Sequence, residues 1–173
     1  SAGTAGEYFQ LPQCQLGGYV TGLLTCIAAS NNGITVIIKF YEPPGGMGVI
    51  LSLQQSQVST SPPGHIPWVY IGTNGYLYIG DNAVGQLSAS ISPGWHTLVF
   101  SEYYSSGTYY LQAWLDGSYI GEKSSTNEPD LFLPSANYPY DYIATGDAGS
   151  WSYAINGWWF FNGSIALIAL YPG

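Results

Sequence analysis

The sequence predicts an all-β domain, an antiparallel sandwich or barrel. Apolar residues alternate with polar ones at a period of two along most of the chain, which is typical of half-buried strands. The dipeptides Asn74-Gly75 and Asp116-Gly117 each separate two alternating stretches, as in β-hairpins. No window of helical length shows the period of about 3.6 residues that an amphipathic helix requires. Many short strands joined by Gly- and Pro-rich turns are typical of sandwiches and barrels.

Individual strands follow from the same alternation. In residues 34–41 the even positions are apolar and share one face, whereas Lys39 lies on the other face. Residues 165–170 are apolar at every position, which predicts a central strand covered on both faces. Further strands are expected at Glu7–Leu11, Tyr19–Ile27, Gly48–Gln54, Trp68–Ile71, Tyr76–Gly80, Gln86–Ser90, His96–Tyr103, Tyr109–Leu115, Tyr119–Lys123 and Tyr142–Thr145.

Length and charge restrict the function classes. The 173 residues fit one domain, residues 1–173, and leave little room for a second. Lys39 and Lys123 are the only basic side chains against ten acidic ones, so the net charge is −8. Nucleic-acid binding is excluded on this ground, because it depends on Lys and Arg at the phosphates. The apolar stretches fall far short of the roughly 20 residues of a membrane span, so we expect no membrane insertion.

Two features bear on the compartment. Cys14 and Cys26 are the only cysteines, and a disulfide between them would indicate an extracellular protein that is secreted or displayed on a cell or virion surface. Two free cysteines in a cytosolic domain are the alternative. Asn162-Gly163-Ser164 matches the N-glycosylation sequon, which makes Asn162 a candidate glycosylation site. Asn-Gly turn chemistry explains the same residues without a glycan.

Several segments carry a family resemblance. The run from Gly94 to Phe100, Gly-Trp-His-Thr-Leu-Val-Phe, is followed by Thr-Tyr-Tyr-Leu-Gln-Ala-Trp-Leu-Asp-Gly from Thr108 to Gly117. Together with Phe160–Ala166 at the end, and Gly33–Val36 and Val49–Leu53 near the start, they resemble the laminin-G-like, concanavalin A-like domains. The resemblance covers most of residues 33–171 and implies an antiparallel jelly-roll sandwich. It does not fix a function, because such domains include lectins, glycosidases, adhesion modules and filament or viral surface proteins.

The acidic residues do not predict an enzyme. The Glu-x-Asp-x-x-Glu strand motif of glycosidases on this fold is missing, and Glu128 and Asp130, the only acidic pair two residues apart, flank a proline in a loop. Glu102 lies on a predicted strand without a partner, and His65 and His96 lack the other members of a catalytic triad. We therefore predict no catalytic residues, no cofactor and no metal. Four aspartates are candidate calcium ligands, but no dense acidic loop joins them, so we expect them to be solvated turn residues: Asp81, Asp130, Asp141 and Asp147.

The favoured function is a structural or adhesion subunit that assembles with copies of itself into a filament or virion appendage. Sandwiches normally protect their edge strands with charges, and this chain has few. In the N-terminal segment, residues 1–11, the apolar side chains Tyr8, Phe9 and Leu11 follow a Gly-containing lead, as in a donor strand that completes a neighbour's sheet. The alternative for this segment is pairing within its own subunit.

The second predicted function is a stand-alone carbohydrate-binding lectin. Aromatic faces stack on the flat CH faces of sugars, and long loops on a rigid sandwich often carry such sites. The segments 124–140 and 146–159 are predicted to be long loops, and cell-surface glycans would be the partner. The alternative is that their aromatic residues only pin the loops to the sandwich. The candidate binding residues are Trp151, Tyr153, Trp158, Tyr138 and Tyr140.

Overall fold

The computed structural model describes residues 6–60 and 64–173 and consists mainly of strands, 55% of the residues against 9% in helices. The predicted all-β class and antiparallel pairing are confirmed. The described strands are β1 (Phe9–Gln10), β2 (Gln13–Leu16), β3 (Tyr19–Gly22), β4 (Gly33–Glu42), β5 (Gly48–Gln54), β6 (His65–Ile71), β7 (Tyr76–Asp81), β8 (Gly85–Ser90), β9 (Gly94–Ser105), β10 (Thr108–Leu115), β11 (Ser118–Ser125), β12 (Tyr140–Ile143) and β13 (Ser164–Pro172).

Two antiparallel sheets form a sandwich-like arrangement. The six-stranded sheet has the order β1-β12-β5-β6-β7-β8, and the five-stranded sheet has the order β11-β10-β9-β4-β13. A separate hairpin pairs β2 with β3. The helical segments are α1 (Leu23–Asn31) and two short 3-10 turns, Asp130–Phe132 and Pro134–Ala136.

The core lies between the two sheets. Inward residues of β4, such as Val36 and Phe40, are fully buried, as the alternation predicts. Trp68 of β6 packs edge-on against Phe100 of β9 at 4.8 Å between ring centroids, which joins the two sheets. Large side chains of this kind contribute most of the apolar area that stabilises a sandwich.

Two predicted elements are wrong. The expected strand Tyr19–Ile27 ends at Gly22, where α1 begins. An apolar run of this length is ambiguous in sequence, and the first turn of α1 is bonded from a distant strand: the Leu24 amide donates to Asp141 Oδ2 at 2.9 Å. The final strand, β13, is an edge strand rather than a central one, and Leu167 on its outer face is 50% exposed.

The predicted disulfide is confirmed. Cys14 of β2 is bonded to Cys26 of α1, with 6.6 Å between their Cα atoms. The bond joins the β2–β3 hairpin to α1, whereas the sequence predicted that Cys26 lies in the strand Tyr19–Ile27. Within the described residues, no helix has the length and apolar character needed to cross a membrane.

The outer faces of the two sheets differ. Residues 146–159 pack over the six-stranded sheet, and Trp159 and Tyr70 form with them a second small core. Tyr78 stacks on Tyr70 with 5.0 Å between centroids. Every residue of β5 is buried: Ile50, Leu51 and Leu53 lie in the main core, and Val49 lies in this second core. The five-stranded sheet has no such cover in the described chain.

Candidate functional site

A polar groove lies at one end of the six-stranded sheet. It consists of two adjoining cavities of about 390 and 360 Å³. Both are lined by His65 at the start of β6, Asn82 in the β7–β8 turn, Tyr138 and Trp151. Because these residues come from four separate parts of the chain, only the fold brings them together.

Two aromatic side chains and several amides line the groove. Trp151 comes from the loop over the six-stranded sheet, and Tyr138 from the segment after the 3-10 turns. Gln86 lines one cavity, and Asn127 and Asp130 line the other. Aromatic faces beside amide and carboxyl groups are the combination that holds sugar rings.

The loop that carries Trp151 is fixed to β6 through His65. His65 Nε2 lies 2.8 Å from the carbonyl oxygen of Gly149, which can only accept, so Nε2 donates. The same nitrogen lies 3.6 Å from Asp147 Oδ1, which accepts a hydrogen bond from the Gly149 amide at 2.9 Å. His65 Nδ1 is buried and has no hydrogen-bond partner among the described residues. The histidine therefore positions the loop, and the sequence alone did not assign it this role.

A second contact anchors the same loop. The Tyr70 hydroxyl donates to the Ser152 carbonyl oxygen at 2.8 Å, and Gln86 Nε2 donates to that hydroxyl oxygen at 3.2 Å. Burial is the main cause that raises the pKa of Tyr70 to about 12. The phenol therefore stays protonated at neutral pH and keeps its donor role.

A buried carboxyl pair lies beside the groove, and of the two only Asp81 lines it. Asp81 ends β7, is 4% exposed and accepts a hydrogen bond from the Val84 amide at 2.8 Å. Glu102 of β9, on the opposite sheet, is fully buried, and neither of its oxygens has a hydrogen-bond partner. Burial raises the pKa of Asp81, and burial together with the charge of Asp81 holds the pKa of Glu102 well above its usual range.

Asp130 gives the open side of the groove a negative charge. Burial, and then the charge of Asp130, raises the pKa of Tyr138 to about 12. The Tyr138 hydroxyl is therefore a protonated donor and acceptor beside a carboxylate. In the described part of the chain, no group of three or more metal-ligating side chains comes together, here or elsewhere.

The predicted aromatic platform is divided. Trp151 and Tyr138 line the groove together, whereas Tyr140 pairs within β12 against Gln54. Trp158 packs edge-on against Tyr142, and its Nε1 donates to the Thr60 carbonyl oxygen at 2.7 Å. Tyr153 lies parallel to Tyr78 at 6.3 Å and is 61% exposed. Three of the five predicted side chains thus lie outside the groove, because loop packing and not sequence proximity decides where each ring points.

The predicted assembly segment pairs within its own chain. In β1, Phe9 lies opposite Ile143 of β12, and the Leu11 amide donates to the Asp141 carbonyl oxygen at 2.9 Å. Tyr8 packs edge-on against Tyr142 at 5.8 Å. The first five residues of the predicted donor strand lie outside the described residues. Exchange with another copy would require β1 to leave β12.

Asn162, the candidate glycosylation site, is exposed in the turn before β13. Its Oδ1 accepts a hydrogen bond from the Met47 amide at 2.9 Å. A glycan would attach at Nδ2 and leave this hydrogen bond in place. The turn role and glycosylation are therefore compatible in this geometry.

Comparison with known proteins assigns no family. No family model matches the chain, and no curated protein matches it. A solved protein of unknown function from Shewanella oneidensis MR-1 is similar at 14% identity over 97% of this chain and 76% of that chain, with a TM-score of 0.44.

Two phage structures are also similar. A full-length tailspike protein 2 from a bacteriophage of Escherichia coli O157:H7 matches at 13% identity over 81% of this chain, with a TM-score of 0.38. The enzymatically active domain of bacteriophage CBA120 tailspike protein 2 matches at 15% identity over 81% of this chain, with a TM-score of 0.36. This chain spans 20% and 22% of those two chains.

Proposed function

We propose that the protein is a non-enzymatic extracellular adhesion protein that binds carbohydrate in the groove. The observation that supports this is the meeting of Trp151 and Tyr138 with Asn82, Asn127 and Gln86 along one polar groove of two adjoining cavities. A sugar ring would stack on an aromatic face, and its hydroxyls would bond to the amides. The loop anchor through His65 holds the tryptophan in place before a ligand arrives, which lowers the entropic cost of binding.

The charge of the groove narrows the class of glycan. Asp130 lies on its open side, and Asp81 lies at its floor. A carboxylate or sulfate on the sugar would meet like charge there, and no Lys or Arg lines either cavity. Neutral hexose or pentose units therefore fit the site better than sialylated or uronic ones.

Calorimetric titration and a glycan array test this proposal. Soluble neutral oligosaccharides of glucose, mannose, galactose and xylose are the probes, with sialylated and uronic oligosaccharides as the charged set. We expect binding to one neutral series and a loss of about tenfold in Trp151→Ala, since one stacked ring contributes about 1.4 kcal/mol. Tyr153→Ala is the matched control, because this exposed ring lies outside the groove and its loss leaves affinity unchanged. Equal affinity of the Trp151→Ala variant, or no binding in any series, would refute the groove as a sugar site.

The absence of catalysis belongs to the same proposal. Both Glu102 oxygens are buried away from a bound ligand. His96 lies 2.6 Å from Asp116 Oδ2 through Nδ1, but its Nε2 lies 2.6 Å from the Ser92 carbonyl oxygen, so neither nitrogen faces a nucleophile. Incubation of the protein with the oligosaccharides that it binds should release no shorter products.

The finer fold and the location are also proposed. The chain passes from β4 in one sheet to β5 in the other, back from β8 to β9, and again from β11 to β12, which supports the jelly roll of a concanavalin A-like, laminin-G-like domain. The Cys14–Cys26 disulfide supports an oxidising, extracellular compartment. Glycosylation of Asn162 is testable there by a mass shift that is removed in Asn162→Gln.

A second candidate function is self-assembly into a filament or virion appendage. Large apolar side chains remain exposed on the single chain, among them Phe9 at 70%, Trp95 at 55% and Tyr119 at 54%. Exposed rings of this size favour an interface. The partners proposed for the protein are thus copies of itself and surface glycans, and neither nucleic acid nor a membrane is among them.

A further inference from the structure

The uncovered face of the five-stranded sheet carries an apolar row that crosses all of its strands. Cross-strand pairing places these residues side by side, each opposite the next: Tyr119 of β11, Trp114 of β10, Val99 of β9, Ile37 of β4 and Ala169 of β13. Trp114 and Tyr119 are in contact at 5.5 Å between ring centroids. We call these five residues the outer row. No part of the described chain packs over them.

Further aromatic residues flank the outer row on the same face. Tyr103 stacks on Tyr110 at 5.2 Å toward one end of the strands. Trp95 packs against Tyr41 at 5.5 Å toward the other end. An outward face of this composition resembles the core of a protein interface more than a free surface, because aromatic residues are enriched there and charges are depleted.

The charges of this face are self-complementary. Two opposite charges lie on it: Lys39, whose ammonium lies 5.9 Å from the Trp95 ring centre, and Glu122, which accepts a hydrogen bond from Gln112 at 2.8 Å. A third charged residue, Asp116, lies at the margin of the face and contacts His96. Lys39 pairs with Thr97, two residues to one side of Val99, and Glu122 lies in the row of Ser101, two residues to the other side.

This placement defines a two-fold axis. The midpoint between Lys39 on β4 and Glu122 on β11 falls within the outer row, between Trp114 and Val99. A rotation of 180° about an axis that lies in the plane of the face and passes through this midpoint generates a second copy, in which Lys39 of each copy lies over Glu122 of the other. The two outer rows then cross at the centre, and both copies contribute the same residues, as an isologous interface requires.

We infer that the outer face of the five-stranded sheet is the surface on which two copies of this chain dock. The inference rests on the assembly candidate above and names its contact face. With strands about 4.8 Å apart and about eight residues of about 3.4 Å each, the face spans roughly 24 by 27 Å. Two faces bury about 1,300 Å², which lies within the range of stable specific interfaces. Few charges lie on this face while the chain has a net charge of −8, so electrostatic repulsion between copies is small there.

Sedimentation velocity over a wide concentration range tests the inference. The wild-type protein should form a dimer. Val99→Lys should weaken the dimer by at least about a hundredfold, because each copy would then bury one unpaired ammonium group near the symmetry axis. Tyr76→Lys is the matched control, since Tyr76 is 43% exposed on the other sheet, and it should leave the dimer unchanged. Circular dichroism checks that each variant keeps its strand content.

A charge exchange tests the orientation without altering the apolar row. Lys39→Glu and Glu122→Lys should each weaken the dimer by about tenfold or less, because each places like charges opposite one another at the rim. The double variant should recover wild-type affinity. Failure of the double variant to recover any affinity would overturn the proposed axis.

The outcomes separate this inference from the proposals above. A wild-type protein that stays monomeric at all concentrations overturns both the docking face and self-assembly, and leaves the groove to its own glycan test. A dimer that tolerates Val99→Lys but is lost on deletion of residues 1–11 overturns the docking face in favour of strand exchange. A dimer lost in Val99→Lys and kept in the deletion supports the docking face.

Discussion

The two sheets of the sandwich differ in what covers their outer sides. The chain folds residues 146–159 back over the six-stranded sheet and buries Trp159 completely there. The five-stranded sheet keeps Trp95 55% exposed on its outer side. Both outer faces are aromatic, so composition alone does not separate them. The difference shows that the chain covers the aromatic face of one sheet with its own loop and leaves that of the other open, which is the face that we propose as the docking surface.

The buried interior and the uncovered face also differ in charge. Glu42, Asp81, Glu102 and Asp141 are all at most 4% exposed, and burial is the first cause that raises the pKa of each carboxyl. Lys39 lies on the uncovered face, where water screens it. Stability is therefore expected to respond to pH through the interior, and association to respond to salt through the uncovered face.

The largest expected effect is a loss of stability as pH rises. A carboxyl whose pKa is raised on folding stabilises the protein fully below the unfolded-state pKa of about 4, where both states are protonated. Burial raises the pKa of Asp141 to about 7, so the unfolded chain releases this proton between these values while the folded chain retains it. The free energy of unfolding should fall by several kcal/mol from pH 4 to pH 7, as measured by urea denaturation.

Asp141→Asn isolates one of these groups. The amide oxygen still accepts from the Leu24 amide, and the side chain no longer titrates, so the pH dependence should flatten. Glu7→Gln is the control, because Glu7 is an exposed carboxyl outside the buried set, so its removal should leave the slope nearly unchanged. A wild-type protein more stable at pH 7 than at pH 4 would contradict the interior assignment.

The next effect compares two tryptophans. Trp159→Ala removes a fully buried ring from the second core and should lower the free energy of unfolding by about 3–5 kcal/mol. Trp95→Ala removes a ring from the uncovered face and should cost about 1 kcal/mol or less in the monomer. Guanidinium denaturation of both variants at low protein concentration measures the contrast. An equal loss of unfolding free energy in the two variants would contradict the conclusion that one outer face is covered and the other is not.

The smallest expected loss of stability follows from removing the disulfide, which lies outside both sheets. Replacing Cys14 and Cys26 together by Ser opens a loop with a sequence separation of 12 and should cost about 3 kcal/mol in the chain-entropy model. The β2–β3 hairpin should then protect its amides less from hydrogen exchange, while β4 and β9 keep their protection. Reduction of the wild-type protein is the parallel measurement, and protection lost throughout both sheets would show that the hairpin is part of the cooperative core.

The groove contains residues that the sequence predicted as binding residues and others that it did not. Trp151 and Tyr138 were predicted among the binding residues from their loops, but Tyr153 and Trp158 belong to the same aromatic loop and point elsewhere. Asn82 and Gln86 carried no signal, because an amide near a turn is ordinary in sequence. Their role depends on the β7–β8 turn lying beside two loops that are distant along the chain.

The sequence by itself predicted most of the strands, the hairpins at Asn74-Gly75 and Asp116-Gly117, and a disulfide between the only two cysteines. These follow from local rules of periodicity, turn conformation and cysteine count. Tertiary structure alone decided that the run after Gly22 is a helix, because Asp141 bonds its first turn from a distant strand. It also decided that the apolar strand β13 lies at an edge. An apolar run favours burial, but only the tertiary structure decides which part of the chain, if any, covers it.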